Sequence, residues 1–300
     1  MDKEYALALL LSSYTVNDLL RKRIEHILKK PVNWYKVLDI ALQWNTHFLI
    51  YRNMLENHYL WMLPSNIKLF WDEAYYGNIK RNNALIKYGK KISKYLLTNN
   101  IQVYPIKGVW LSKTLPVYLY VRPMQDIDYI VSPDNLTKTT KLLKRKNLFP
   151  LYQNDEDYLI KNRPPQSNEF SVLFSKKTLR HNLQFLQIDF CYALTSKVAF
   201  EFILKGLSLP GSSEYYISHL LLLYILVSDV LSKINLEEHI LDFKLSRLVD
   251  IVALENYCNK LSIPKSFDHV LDELKLKKTV REIRNFVEVI WEGVPHIWLH

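Results

Sequence analysis

Two aspartates that stand two residues apart give the sequence its strongest chemical signal. Asp126, Ile127 and Asp128 begin a stretch that alternates polar and apolar residues through Val131, as a half-buried β-strand does. On a strand over residues 126–131 both carboxylates leave the same face. Because like charges side by side repel, the pair needs a cation, and Mg²⁺ is typically held by one or two carboxylates together with substrate phosphates. The alternative is surface decoration of a strand by two acids.

A third acid has a similar setting. Asp189 follows Leu186, Gln187 and Ile188 and precedes Phe190, so it lies in a predicted strand between apolar neighbours. On a strand beside the first pair it would help to hold two ions, which could activate a hydroxyl and stabilise a leaving pyrophosphate. The alternative is a simple exposed strand acid. His181 lies eight residues upstream and is given no role, since a surface histidine is the default interpretation.

A second chemical element is a turn at Lys107 and Gly108. Residues 101–106 predict a strand and a helix is expected from Val109. Glycine lets a phosphate approach the backbone, and the start of a helix offers free N–H groups and a partial positive charge. Lys107 would add a full charge, so the turn predicts a phosphate site.

Helices and strands, which the spacing of apolar residues distinguishes, must position these residues. Apolar residues recur every three or four positions over residues 2–99 and predict three or four helices, with breaks near Pro31 and Pro64 and a long last helix over residues 67–97. Further along, the pattern predicts a loop at 116–123, a helix at 135–146, strands at 170–174 and 183–192, and helices again at 197–300. This order predicts an α+β fold with a small mixed sheet. We expect an N-terminal helical region at 1–99, the sheet region at 100–196 and a C-terminal helical region at 197–300.

Composition narrows the class of protein. With 300 residues, 49% of them hydrophobic, and only 2 Cys, the chain is neither disordered nor disulfide-stapled. Cys191 and Cys258 form no CxxC pair and are expected to be reduced core thiols. The net charge of +10 favours anionic partners, although the basic residues occur in several short runs that predict solvated helix faces. No run is long enough for a membrane span, and the apolar start at residues 5–11 predicts a core helix, so we expect a cytoplasmic protein.

These motifs, in this order, resemble a known family. The strand, Lys107-Gly108 and helix, followed by Arg122-Pro123 and then Asp126-Ile127-Asp128, look like the signature of the uncharacterised nucleotidyltransferase family within the DNA polymerase β-like superfamily. The match is close over residues 101–149 and weaker over most of the chain. The resemblance implies a polymerase β-like nucleotidyltransferase palm flanked by N-terminal and C-terminal helical regions.

The resemblance also implies roles for particular residues. Asp126, Asp128 and Asp189 would be the catalytic metal ligands, and Lys107 and Gly108 would form the triphosphate turn. Triphosphate contacts would also come from Arg122 and, on the upstream helix, from Arg81. The chain departs from the wider superfamily in having Val109 and Trp110 after the glycine and 18 residues from Gly108 to Asp126, where members of this particular family commonly share Lys-Gly and the longer gap.

The implied reaction transfers a nucleoside monophosphate from a nucleoside triphosphate, with ATP as the favoured donor, and it uses Mg²⁺ or Mn²⁺. The acceptor that the resemblance favours is a ribosomally made peptide, such as a lasso peptide, or a phosphopeptide. Two alternatives stay open: a toxin-like enzyme that acts on tRNA, and a non-catalytic nucleotide-binding scaffold. A tRNA enzyme should concentrate Lys and Arg around the cleft, whereas a peptide enzyme should offer an apolar groove. No membrane partner and no obligate protein partner can be inferred.

Overall fold

The computed structural model describes residues 2–150, 169–177, 185–194, 196–231 and 245–291. The chain divides into two compact units, which are described separately. The first comprises Met1–Tyr76, Tyr120–Pro123 and Val230–His300, and the second comprises Gly77–Leu119 and Met124–Asp229. These limits differ from 1–99, 100–196 and 197–300, and the three predicted regions stay a prediction.

Helices make up the described part of the first unit. Its helices are α1 (Lys3–Leu11), α2 (Asp18–Leu28), α3 (Trp34–Gln43), α4 (His47–Glu56), the start of α5 (Ser65–Leu97), α11 (Ser246–Lys260), α12 (Pro264–Glu273) and α13 (Lys277–Trp291). Side-chain caps explain three of the starts, because Asp2, Asn17 and Asn33 accept hydrogen bonds from backbone N–H groups of the first turns of α1, α2 and α3. Five α-helices therefore begin within the described residues 2–99, where three or four were predicted.

Helix α5 runs from Ser65 to Leu97 without a break, so neither Gly77 nor Gly89 splits it. The division between the two units falls inside this helix, at Gly77. Gly89 has a packing role: the Tyr129 hydroxyl donates to its carbonyl oxygen at 2.7 Å, and a Cβ at this position would stand 3.0 Å from that hydroxyl. Burial raises the pKa of Tyr129 to about 12, so the hydroxyl keeps its proton.

The second unit contains the sheet. Its elements after α5 are β1 (Val103–Pro105), α6 (Lys107–Thr114), the start of α7 (Tyr118–Val121), β2 (Ile127–Val131), α8 (Leu136–Lys144), β3 (Phe149–Pro150), β4 (Glu169–Lys177), β5 (Phe185–Leu194), α9 (Lys197–Leu207) and α10 (Ser213–Leu231). The five strands lie in the order β1-β2-β5-β4-β3. Strands β2 and β5 are parallel, and the other neighbours are antiparallel. The α+β class and its mixed sheet are confirmed, while the specific polymerase β-like palm stays a prediction.

One face of the sheet carries the core of this unit. Alternate residues of β2 and β5, among them Tyr129 and Phe190, pack against α5 and α8. Their rings stack with centroids 5.3 Å apart. Strand alternation sends the intervening residues, Asp128 and Asp189, to the opposite face.

Two local predictions were wrong in detail. Strand β2 begins at Ile127, one residue later than predicted, so Asp126 lies in the bend before it. Residues 116–123 were predicted as a loop but include α7, a single helical turn. Cys191 and Cys258 are buried free thiols, as expected, and burial raises the pKa of Cys258 to about 12. His181 lies outside the described residues, and none of the helices within them has the length and apolar character that a membrane span needs.

Candidate active site

The sheet brings two of the three predicted acids together. Asp128 on β2 is the register partner of Asp189 on β5, in the parallel pair that joins these strands. Neighbouring strands are about 4.8 Å apart, so the two carboxylates leave the same face at adjacent positions. Asp128 is buried, with 7% of its surface exposed, and Asp189 is half-buried. The predicted pairing of a third acid with the Asp-x-Asp strand is therefore present for Asp189 and Asp128.

Asp126 is placed differently. It lies directly before β2 and is half-buried. The spacing of two that would align it with Asp128 on a regular strand is interrupted here by the start of the strand. The structure therefore places Asp126 next to the pair in sequence but outside the regular alternation of the sheet.

Lys107 provides the cation beside these acids. Its ammonium lies 3.0 Å from Oδ1 of Asp128, and the two side chains are only 18% and 10% exposed. The backbone N–H of Ile106 donates to the carbonyl oxygen of Asp128 at 3.0 Å, which fixes the turn against β2. An ion pair as buried as this is strongly coupled, because either charge alone would be costly to leave out of water.

The backbone of the turn is strained at Lys107 itself. Helix α6 begins at this residue, whose φ is +51°, in the left-handed region that non-glycine residues rarely adopt. Such strain collects at functional sites, where the surrounding structure holds it in place. The left-handed residue of the turn is therefore Lys107, and Gly108, which was predicted to let a phosphate approach the backbone, is a buried helical residue.

Trp110 anchors α6 to α10. Its ring stacks on His219 with centroids 3.4 Å apart and planes 13° apart, and its Nε1 donates to the Tyr215 hydroxyl at 2.8 Å. His219 is 3% exposed, and burial lowers the pKa of its imidazole well below the usual value, so the ring is neutral. This contact holds in place the helix whose first residue is Lys107.

The two predicted arginines have other partners. Arg122 belongs to the first unit, where its Nη1 lies 2.6 Å from Oδ2 of the buried Asp250 on α11. Arg81 on α5 donates from Nη2 to Oδ1 of Asn78 at 3.2 Å, and burial lowers its pKa. Neither contact tests a role in binding phosphate, so the triphosphate roles of both arginines stay predictions.

Asn82 is a residue whose role sequence reasoning missed. It is fully buried on α5, donates from Nδ2 to the carbonyl oxygen of Leu119 at 2.9 Å, and accepts at Oδ1 from the N–H of Met124 at 3.4 Å. It therefore ties down both ends of the segment that leads into Asp126. The sequence offered no clear signal for this role, because an asparagine in a predicted helix has many possible partners.

The carboxylates of Asp128 and Asp189 are suitable ligands for Mg²⁺, but among the residues that the structure describes the predicted third ligand does not join them in a metal-binding group. Carboxylate oxygens are the ligands that Mg²⁺ prefers, and one or two of them suffice when substrate phosphates and water complete the shell. Asp128 and Asp189 meet that requirement as register partners. Within the described ranges, no three or more His, Cys, Asp or Glu side chains are arranged to hold a metal ion, so the expected three-acid cage is not formed by these residues alone.

Comparison with known proteins agrees with the order of these motifs. No curated protein and no solved structure matches the chain. The sequence profile of one family, described as uncharacterised nucleotidyltransferase, matches residues 30–291 and so includes parts of both units and every acid and base of the candidate site. With that match over most of its length, the chain belongs to the uncharacterised nucleotidyltransferase family.

Proposed function

We propose that this nucleotidyltransferase moves a nucleoside monophosphate from a nucleoside triphosphate to a hydroxyl or phosphate oxygen of an acceptor. ATP is the favoured donor, and Asp128 and Asp189 hold Mg²⁺ or Mn²⁺. The observation that carries the proposal is the register pairing of these two acids beside the Lys107 ammonium. Two acids and a base on a rigid sheet and helix form a preorganised site of the kind that phosphoryl chemistry requires.

In this reaction the acceptor oxygen attacks the α-phosphorus, and the bond from that phosphorus to the oxygen bridging to the β-phosphate breaks. Pyrophosphate leaves with the electron pair, and the acceptor proton passes to solvent. Bound to the carboxylates, Mg²⁺ would neutralise charge on the triphosphate and favour deprotonation of the acceptor. The chain itself orients the triphosphate through Lys107 and the N–H groups at the start of α6, with Gly108 allowing close approach.

Asp126 completes the proposed acid set from the bend before β2. Asn82 fixes the segment before this bend, because it binds the backbone of Leu119 and Met124. Arg122 and Arg81 stay in the proposal as triphosphate contacts. For Arg122 this requires exchange of its Asp250 partner for phosphate.

For the acceptor, we propose a ribosomally made peptide or a phosphopeptide, and tRNA is the second candidate because the net charge is +10. A third possibility is a scaffold that binds nucleotide without turnover. Pyrophosphate release distinguishes these possibilities. An enzyme that modifies a peptide and one that modifies tRNA would both release pyrophosphate, each stimulated by its own acceptor, whereas a scaffold would release none.

Pyrophosphate release from each of the four nucleoside triphosphates tests the proposal, with Mg²⁺ or Mn²⁺ and with or without bulk tRNA or candidate peptides. Asp128→Asn should abolish metal-dependent release, whereas Asp134→Asn removes an exposed acid from the next turn of the chain and should leave the rate unchanged. Equal rates in the wild type and Asp128→Asn would contradict the assignment of the site. Nucleotide binding without release in the wild type under every condition would favour the scaffold.

A further inference from the structure

The positive charge of the chain is concentrated in one segment. Residues 77–150 contain 14 lysines and arginines and three aspartates, a net charge of +11, whereas the whole chain carries +10. The other 226 residues are therefore close to neutral. Residues 77–125 contain no Asp or Glu. Solvated helix faces usually carry charges of both signs, so this segment is unusual in carrying almost only one.

The structure gathers much of this charge on two neighbouring helices of the second unit. The exposed basic residues of the second half of α5, and those of α8 with the turn after it, are Lys87, Lys90, Lys91, Lys94, Lys138, Lys141, Lys144, Arg145 and Lys146. The helices lie side by side: the Tyr95 hydroxyl donates to the carbonyl oxygen of Leu142 at 3.4 Å, and the Lys138 ammonium donates to that of Asn99 at 2.8 Å. These nine residues form one surface, which we call the basic surface.

A cavity of about 310 Å³ opens within the basic surface. Aliphatic side chains line its apolar part, and the rings of Tyr88 and Tyr95 stand at its sides with Lys91 and Lys146. The Lys146 ammonium lies 4.5 Å from the centroid of the Tyr95 ring, and that of Lys91 lies 6.0 Å from the centroid of Tyr88. Each ring is thus paired with a cation that also lines the cavity.

This cavity is separate from the candidate active site. Leu186 of β5 lines it and belongs to the core face of the sheet, with Phe190. Asp128 and Asp189 leave the opposite face. A ligand of the cavity would therefore not touch the carboxylates, and its recognition does not depend on the proposed nucleotidyl transfer.

We propose that the basic surface binds a single-stranded segment of nucleic acid. Its lysines are compact charges that suit phosphates regardless of sequence, and the two tyrosine rings provide faces on which unpaired bases can stack. The combination of a positively charged track with aromatic rings is the usual design of single-strand binding sites. An acidic peptide would match the charge but leave the rings without a role, and an anionic bilayer would not enter a cavity of about 310 Å³.

Fluorescence anisotropy with labelled uridine and thymidine oligonucleotides of about 16 nucleotides tests this proposal, since such sites span roughly 4–16 nucleotides. The titrations use the full chain with EDTA and without nucleoside triphosphate, so that binding is measured apart from transfer. Lys91→Glu/Lys146→Glu should weaken binding about tenfold and reduce the dependence of log K on log salt by about 1.4, because each phosphate contact on a single strand contributes about 0.7.

A matched control changes the same number of charges elsewhere. Lys197→Glu/Lys278→Glu replaces two lysines whose side chains are 89% exposed, and its affinity should stay within about twofold of the wild type, since neither lines the cavity. Tyr88→Leu/Tyr95→Leu retains apolar bulk but removes the rings and should weaken binding about fivefold or more. Thermal melts establish that each variant is folded, and the charge variants carry the test if the tyrosine variant is not.

Three results would overturn the proposal. The first is no binding of either oligonucleotide at low salt, and the second is equal loss of binding in the two charge variants, which would mean unspecific attraction. The third is tighter binding of polyglutamate or of phosphatidylglycerol vesicles than of oligonucleotides, which would assign the surface to an acidic protein or a membrane. A loss confined to the variants of the cavity, with the pyrophosphate assay unaffected, would support it.

Discussion

Removal of the Lys107 ammonium should destabilise the fold strongly and in a way that depends on Asp128. The two atoms lie 3.0 Å apart, with side chains 18% and 10% exposed, so Lys107→Asn leaves a carboxylate largely out of water beside Asp189. Breaking a buried pair in this way costs about 3–5 kcal/mol. Asparagine is the right replacement, because it tolerates the left-handed backbone that Lys107 adopts at φ +51° and so removes the charge without adding strain.

The same change in an Asp128→Asn background should cost less, since the carboxylate that the lysine contacts at 3.0 Å is already gone. We expect a coupling free energy of about 2 kcal/mol between the two substitutions, within the range of about 0.5–3 kcal/mol found for residues in contact. Urea unfolding followed by tryptophan fluorescence measures it, with Trp110 on α6 as a nearby reporter. The exposed pair of Lys197 and Glu201, 3.7 Å apart, serves as the control and should show little coupling.

Additive effects of Lys107→Asn and Asp128→Asn, with a coupling below about 0.5 kcal/mol, would refute the reasoning. A further arm of the experiment separates the ion pair from the proposed metal site. If Asp128 and Asp189 bind Mg²⁺, added Mg²⁺ should stabilise Lys107→Asn more than the wild type, because the ion replaces the lost ammonium. An equal Mg²⁺ response in both proteins would argue against that site without affecting the coupling.

Four further substitutions give separate expectations. Gly206→Ala should lower the free energy of unfolding in urea by about 1–3 kcal/mol, because the new Cβ would collide with the Ser218 hydroxyl and stand 2.6 Å from a backbone oxygen. Gly77 has open space around it, so Gly77→Ala should stabilise α5 by about 0.5–1 kcal/mol. The free energy of unfolding of the wild type should fall by up to about 1.4 kcal/mol per pH unit below pH 6.5, because this histidine binds a proton in the unfolded chain but not when it is buried as His219. Urea midpoints measured from pH 7.5 to 5.5 should therefore change less with pH for His219→Gln than for the wild type. Asn82→Ala should cost about 1–3 kcal/mol and lower pyrophosphate release, and an unchanged rate would contradict its positioning role.

Local patterns were sufficient for much of this fold. The alternation from Ile127 to Val131 and around Asp189 predicted two strands, and the structure has both. Pro31 and Pro64 marked helix breaks correctly, because proline cannot continue a helix and restricts the residue before it. In each case the physical cause acts within a few residues, where a single sequence can express it.

Contacts between distant residues were harder to predict. Arg122 lies beside an Asp-x-Asp motif in the sequence, yet its observed partner is Asp250, which is 128 positions away in the chain. The left-handed backbone of Lys107 was also unexpected, because the adjacent Gly108 is the residue that adopts such geometry easily. In both cases the tertiary surroundings decide between local options of similar cost.

The separation of charge between the two faces of one sheet follows from the same alternation that predicted the strands. On β5, the residues of one parity, such as Leu186, face the core helices, and the residues of the other parity, such as Asp189, face away. The acids therefore lie on one side of the sheet, and α5 and α8, which carry the basic surface, pack on the other. Lys107, which does contact Asp128, comes from α6, and this helix contacts β2. The proposed metal site and the proposed nucleic-acid site would thus occupy opposite faces of one sheet, where neither neutralises the other.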